Sequence, residues 1–266
     1  MYFNLFLFFL LGVTCGYFYT IIGFRLPIKE QLFSKSKCDK CNHELSFIEK
    51  IPIISYINQK GKCNYCMQKI SPIYVIFEII TGLLFSLTYI TFIDFNNPGI
   101  KIFLSIIFLS ALLIIMFGDI KYMLIPNELL IVSSVAVVIL KLYLEYKNEE
   151  LLSFLDVGYE FLFMLIDAAI MFVIMYIIKK IGDLIFKKES LGGGDVKMMA
   201  FVALIMGYKM SIIVIFIASF IALPFSIYNA YKKSQVMLPF GPYLAIATII
   251  LYLANISFES LLELIH

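Results

Sequence analysis

Runs of roughly twenty apolar residues recur along this chain, and a segment of that length with few charges can cross a bilayer as one helix. We read eight of them: residues 2–24, 72–93, 101–118, 127–144, 158–178, 196–207, 210–230 and 238–256. The sixth is short, as a half-buried or tilted segment would be. Composition agrees: 62% of the residues are hydrophobic and 15% charged, against about 45–50% and 25% in a soluble domain. The expected fold class is all-α, a polytopic membrane helix bundle of about eight transmembrane segments. The first run has no basic residue ahead of it and no small-x-small pattern before Arg25. It therefore reads as a retained span and not as a signal peptide.

Lys and Arg orient the bundle. If residues 25–71 face the cytosol, seventeen of the 21 basic residues lie on that side: nine in the loop, Lys121, five in 179–197, and Lys232 with Lys233. Lys101, Lys141, Lys147 and Lys209 remain for the other. The positive-inside rule puts the N-terminus outside. A net charge of +2 gives no reason to expect a nucleic-acid partner, because the basicity is topological.

The one long polar insertion, 25–71, holds Cys38-Asp39-Lys40-Cys41 and Cys63-Asn64-Tyr65-Cys66, two C-x2-C knuckles separated by 21 residues. Each knuckle can present two thiolates to one ion, and two knuckles complete a tetrahedral four-sulfur shell. A pair of disulfides is the alternative, which a reducing cytosol disfavours. Cys38, Cys41, Cys63 and Cys66 are thus candidate ligands of a structural zinc that folds a loop too small for its own core. Four cysteines suffice without His43. Cys15, alone in the first run, reads as packing.

Two polar stretches each set an aspartate at the edge of an apolar run. They are Phe117-Gly118-Asp119, running on to Ile125-Pro126-Asn127, and Gly192-Gly193-Gly194-Asp195-Val196-Lys197. Intramembrane carboxylates are costly without a partner or a task. Counting spans places Asp119 and Asp195 on the same face, 76 residues apart in sequence. Two carboxylates brought together share a proton, so one can act as base while the other acts as acid, and water can be driven onto an amide. Glycines before Asp195 admit a close backbone, and Pro126 suits the first turn of the next span. Glu78, Glu128 and Asp167 are further embedded acids, with Asp167 read as structural. No G-x-G-x-x-G, Walker loop or supported Ser/His/Asp set occurs, and His appears only at 43 and 266.

Taken together these residues resemble the bacterial type IV prepilin peptidase family of leader peptidases and N-methyltransferases, over nearly the whole chain. The resemblance runs through Gly16 to Pro27, the two knuckles around Ile51-Pro52-Ile53-Ile54-Ser55-Tyr56 and Gly61-Lys62-Cys63, then Ile70-Ser71 and Glu78. It continues through Asp119 with Pro126, Gly192-x-Gly194-Asp195-x-Lys197, and Leu238-Pro239-Phe240-Gly241-Pro242. The chain departs from the family at Tyr17 and Thr20, where Ser and Asn are usual, and at Ile73-Tyr74-Val75, where the family has Arg-Tyr-Pro.

The resemblance implies an aspartic endopeptidase of the bacterial inner membrane that removes the leader from type IV prepilins and pilin-like precursors at the cytosolic face. It further implies methylation of the new N-terminus with S-adenosylmethionine. Asp119 and Asp195 would be catalytic, with Gly192, Gly194 and Lys197 shaping the substrate's approach. The expected organisation is a first span at 1–24, the zinc module at 25–71 and a peptidase domain at 72–266, with prepilins and lipid as partners and no nucleic acid. Two rivals are a proton- or cation-coupled transporter using intramembrane aspartates and a scaffold whose zinc loop binds a secretion partner. A transporter predicts internal repeats, which the sequence does not display.

Overall fold

The computed structural model describes residues 2–32, 34–38, 40–148, 153–232 and 239–263; Lys233, Leu238 and His266 lie outside them. Among the described residues the chain is helical, without a strand. It divides into two compact units between Ile90 and Thr91.

The first unit pairs α1 (Tyr2–Arg25) with α3 (Ile73–Phe92). Small residues let their backbones meet, as membrane helices require when lipid offers no hydrophobic drive for association. A Cβ on Gly12 would stand 2.7 Å from Gly82 Cα, and one on Gly16 would stand 2.9 Å from Glu78 Cα. Asn4 Nδ2 donates to Tyr89 Oη at 3.1 Å, and Phe8 stacks on Tyr89. Between the helices hangs the cysteine module, with one turn of 3-10 helix (Ile48–Lys50) and the short α2 (Ile54–Asn58). Arg25 folds back over the start of the module, Nη1 donating to the carbonyls of Leu32 (2.9 Å) and Ser34 (2.7 Å).

In the second unit α4 (Pro98–Tyr122) is the inner helix, with Leu109, Leu112, Leu113, Ile115 and Phe117 fully enclosed. It packs on α5 (Asn127–Lys147) and α8 (Gly241–Leu253), while α7 (Gly193–Tyr231) packs on α5, α8 and α6 (Phe154–Phe186). Phe108 joins three of these helices by ring contacts to Phe201 and Tyr252, and Tyr252 Oη lies 2.8 Å from Ser105 Oγ. A capping box starts α6: Ser153 Oγ accepts from Asp156 N–H, and Asp156 accepts from Ser153 N–H, satisfying two otherwise orphaned donors. The short α9 (Phe258–Glu263) follows α8.

Among the described residues six helices are long and apolar enough to cross a membrane, not eight. The segments expected at 196–207 and 210–230 share α7, which is interrupted at Gly207 (φ 74°, ψ 162°). Only glycine tolerates that backbone readily. The last expected span is a helix of 13 residues, too short for about 30 Å of hydrocarbon at 1.5 Å per residue. Asp167 belongs to the interruption: its carboxylate accepts the Tyr208 N–H, and Oδ2 lies 3.3 Å from where a Gly207 Cβ would be. The freed end of the helix is thereby capped, which gives this embedded acid a structural task.

Candidate active site and metal centre

Asp119 occupies the last turn of α4. The turn closes with Met123 in a left-handed conformation, its N–H donating to Asp119 O at 2.9 Å. Pro126 then stands as the cap residue before α5, one position earlier than expected. Asp195 lies in the first turn of α7. That helix is aimed by the preceding loop, which folds back on α6: Ser190 N–H donates to Asp183 Oδ1 at 2.7 Å, and Lys179 pairs with Glu189 at 2.6 Å.

Both carboxylates are buried, Asp119 at 5% and Asp195 at 6% exposure. They converge on the first residue of α8. A methyl group in place of the Gly241 hydrogen would stand 2.6 Å from Asp119 Oδ2 and 3.3 Å from Asp195 Oδ1. The Gly241 N–H donates to Asp119, and the Gly192 N–H donates to Asp195. Gly241 therefore leaves room for both carboxylates and orients Asp119, a role the Leu238-Pro239-Phe240-Gly241-Pro242 motif carries without revealing.

The residues expected to shape the approach have distinct places. Gly192 faces its own carboxylate, with a Cβ position 3.2 Å from Asp195 Oδ2. Gly194 admits the Ile125 side chain, 2.8 Å from where its Cβ would be, so the two aspartate-bearing stretches meet here backbone to side chain. Lys197 Nζ donates to Asn127 Oδ1 at 2.8 Å, tying α7 to α5. A cavity of about 270 Å³ adjoins this centre, between Met175 and Ile178 of α6 and Ser219, Ala222 and Ser226 of α7. Leu191 and Phe240 are also in its wall; each immediately precedes a glycine that contacts the carboxylates.

The two cysteine knuckles are built alike. In the first, Cys38 N–H donates to His43 O, Asn42 N–H to Cys38 O and Leu45 N–H to Ser36 O. The second repeats this with Cys63 to Gln68, Met67 to Cys63 and Ile70 to Gly61. Asn42 and Met67, at matching positions, both have positive φ (55° and 57°). All four sulfurs lie within 4.8 Å of one another, and Cys38–Cys66 and Cys41–Cys63 are 3.9 Å apart. A tetrahedron with Zn–S bonds of about 2.3 Å has sulfurs about 3.8 Å apart, so the cluster fits that ion. The cysteines are unbridged. Backbone N–H groups of Cys66 and Tyr65 bring the Cys63 thiol down to about 7. The Cys41 thiol is drawn down by the His43 N–H, but burial and the neighbouring thiols carry it up to about 12. Four thiols this close cannot ionise together without a cation among them. His43 takes no part; its ring stacks on Tyr65.

Comparison with known proteins sets this geometry in a family. Residues 10–92 match the Bacterial Peptidase A24 N-terminal domain, and residues 106–227 match the Type IV leader peptidase family. A Bacillus subtilis (strain 168) protein named prepilin leader peptidase/N-methyltransferase is 31% identical over 250 residues, 92% of each chain. The chain belongs to the type IV leader peptidase family. Proteins of the same name from Vibrio cholerae (26% identical, 94% of this chain and 97% of that one) and Dichelobacter nodosus (27%, 81% and 70%) are also similar. The division between the compact units falls two residues before the end of the first family segment, and the second segment lies wholly in the second unit. No solved structure matches the chain.

Proposed function

We propose that this protein is an aspartic endopeptidase that removes the leader from type IV prepilins and pilin-like precursors. The observation that carries this is the convergence of the Asp119 and Asp195 carboxylates on Gly241 in a leader peptidase family member. Between them the two carboxyls hold one proton. The ionised member takes a proton from a water as its oxygen adds to the scissile carbonyl carbon. The protonated member supplies a proton to the departing amide nitrogen as the C–N bond breaks. The adjoining cavity takes an apolar part of the substrate chain. Basic-residue asymmetry supports a plasma-membrane protein with its N-terminus outside and this centre at the cytosolic face.

The N-terminal unit carries the second activity, methylation of the new N-terminus, for which S-adenosylmethionine is the methyl donor. Zinc on Cys38, Cys41, Cys63 and Cys66 holds that unit's loop in shape; a closed four-sulfur shell leaves no position for water, so the metal's task is structural. A transporter reading has less support. Asp167 sits at the Gly207 break, twelve helical residues or about 18 Å along α7 from Asp195, and it is committed there to capping.

The direct test is mass spectrometry of a neighbouring pilin-like protein from cells with and without this chain. Loss of leader removal and of N-terminal methylation in the deletion is the expected result; a processed, methylated pilin without the chain would refute the proposal. A second test probes the role of Gly241. In Gly241→Ala the added methyl must push Asp119 Oδ2 aside from 2.6 Å, and a displacement approaching 1 Å costs about 100-fold in rate. Gly193→Ala is the control, since nothing lies within 4 Å of that Cβ position. Equal cleavage by the two variants would remove Gly241 from the centre.

A further inference from the structure

Three carboxylates are buried among the described residues: Asp119, Asp195 and Glu78. The first two form the centre of the second unit. Glu78 lies alone in the first unit, in α3, at 5% exposure. Its Oε2 accepts the Ile53 N–H at 2.8 Å. No lysine or arginine among the described residues comes within ion-pair distance of it. Arg25, at the end of the neighbouring α1, instead directs Nη1 to the loop carbonyls. Among the described residues the Ile53 N–H is the one hydrogen-bond donor to Glu78, and Oε1 accepts none.

A carboxylate in an apolar setting with one neutral donor is an expensive choice. If its only task were to hold Ile53, a glutamine would accept the same N–H through its amide oxygen without a buried charge. The backbone it holds is itself unusual. Ile53 has φ 61° and ψ −53°, a conformation that a β-branched residue adopts only under constraint. Strain of this kind persists where the surrounding structure imposes it, and it concentrates at functional sites. The constrained turn points an N–H at one carboxylate oxygen, and no described residue hydrogen-bonds the other. A carboxylate is needed, where an amide will not do, when the ligand is a cation or must give up a proton. Leader removal creates such a ligand, because each turnover releases a chain with a new α-ammonium.

We propose that Glu78 is a catalytic residue of the methyl transfer, binding the α-ammonium of the cleaved pilin-like chain through Oε1. The ammonium gives one proton to Glu78 and becomes a neutral amine. The amine nitrogen then forms a bond to the donor's methyl carbon as the carbon–sulfur bond breaks, and the sulfonium leaves as a thioether. The product is a methylated ammonium, and Glu78 returns its proton to solvent. The inference rests on the methyl-transfer reading above, and binding of the amine can be measured apart from transfer.

The experiment uses the full-length, zinc-loaded protein in nanodiscs and two peptides of the mature pilin N-terminus, one with a free amine and one N-acetylated. Wild type is expected to bind the free-amine peptide about tenfold or more tightly, as a hydrogen bond between charged groups allows. In Glu78→Gln that preference disappears and methylation is lost, while leader cleavage and zinc content stay at wild-type levels. Equal binding of the two peptides by wild type, or an undiminished preference and methylation in Glu78→Gln, overturns the proposal. If wild type shows the amine preference yet transfers no methyl group, the methyl-transfer reading fails and the amine site stands. Should Glu78→Gln not fold, Glu78→Asp decides, because it keeps the charge and withdraws it by one methylene. At least a tenfold loss of methylation with unchanged cleavage supports the assignment, and an unchanged rate refutes it.

Discussion

Asn in place of Asp119, and separately in place of Asp195, is expected to lower leader cleavage by about 10³-fold or more, the scale of a lost acid–base contribution. An amide has the shape of the carboxyl but can neither take a proton from water nor share one with its neighbour. Both variants should otherwise remain folded: the Gly241 and Gly192 N–H groups find an acceptor in the Asn side-chain oxygen. Monodispersity in detergent and an unchanged zinc content check this. Asp167→Asn is the contrast. Its amide oxygen can still accept the Tyr208 N–H, so cleavage should stay within a few-fold of wild type. Substantial cleavage by either well-folded dyad variant would end the two-aspartate assignment. Loss confined to Asp167→Asn would turn attention to cation transport.

Removal of the metal should have the second-largest effect. Elemental analysis of purified protein is expected to find one zinc per chain, and Cys38→Ser combined with Cys63→Ser should abolish it by taking one ligand from each knuckle. A structural zinc of this type contributes on the order of 10 kcal/mol to folding. The loop between α1 and α3 has little else: Phe47, Ile48, Ile54 and Ile57 are all exposed. Proteolysis within residues 26–72 should accelerate sharply in the double variant. Methylation should fall at least as far as cleavage, since the aspartates belong to the other unit. A zinc-free wild-type protein with paired disulfides would refute the metal assignment.

The parts of this molecule that were legible in advance are those set by short-range rules. Apolar runs betray helices because a membrane span must satisfy its own backbone within one segment. The knuckles were readable because two cysteines three residues apart share one turn, whatever surrounds them. That Asp119 and Asp195 lie on one face follows from counting crossings between them.

What sequence reading missed has the opposite character. The segments on either side of Gly207 looked like two spans, because hydropathy does not register one residue's left-handed backbone or the carboxylate of Asp167 that caps it from α6. That Gly194 admits the side chain of Ile125, 69 positions earlier, likewise has no signal in local spacing. The sequence by itself determined an all-helical chain of membrane-length apolar runs, a cluster of four cysteines that could hold a metal ion and an aspartate at the edge of each of two such runs. Only the tertiary structure decided that both aspartates close on Gly241, that Lys197 ties α7 to α5, and that Glu78 reaches Ile53. Each of these contacts joins residues tens of positions apart. Periodicity and ligand spacing act within a turn or two of chain, but which side chain meets which backbone is settled by how whole helices pack.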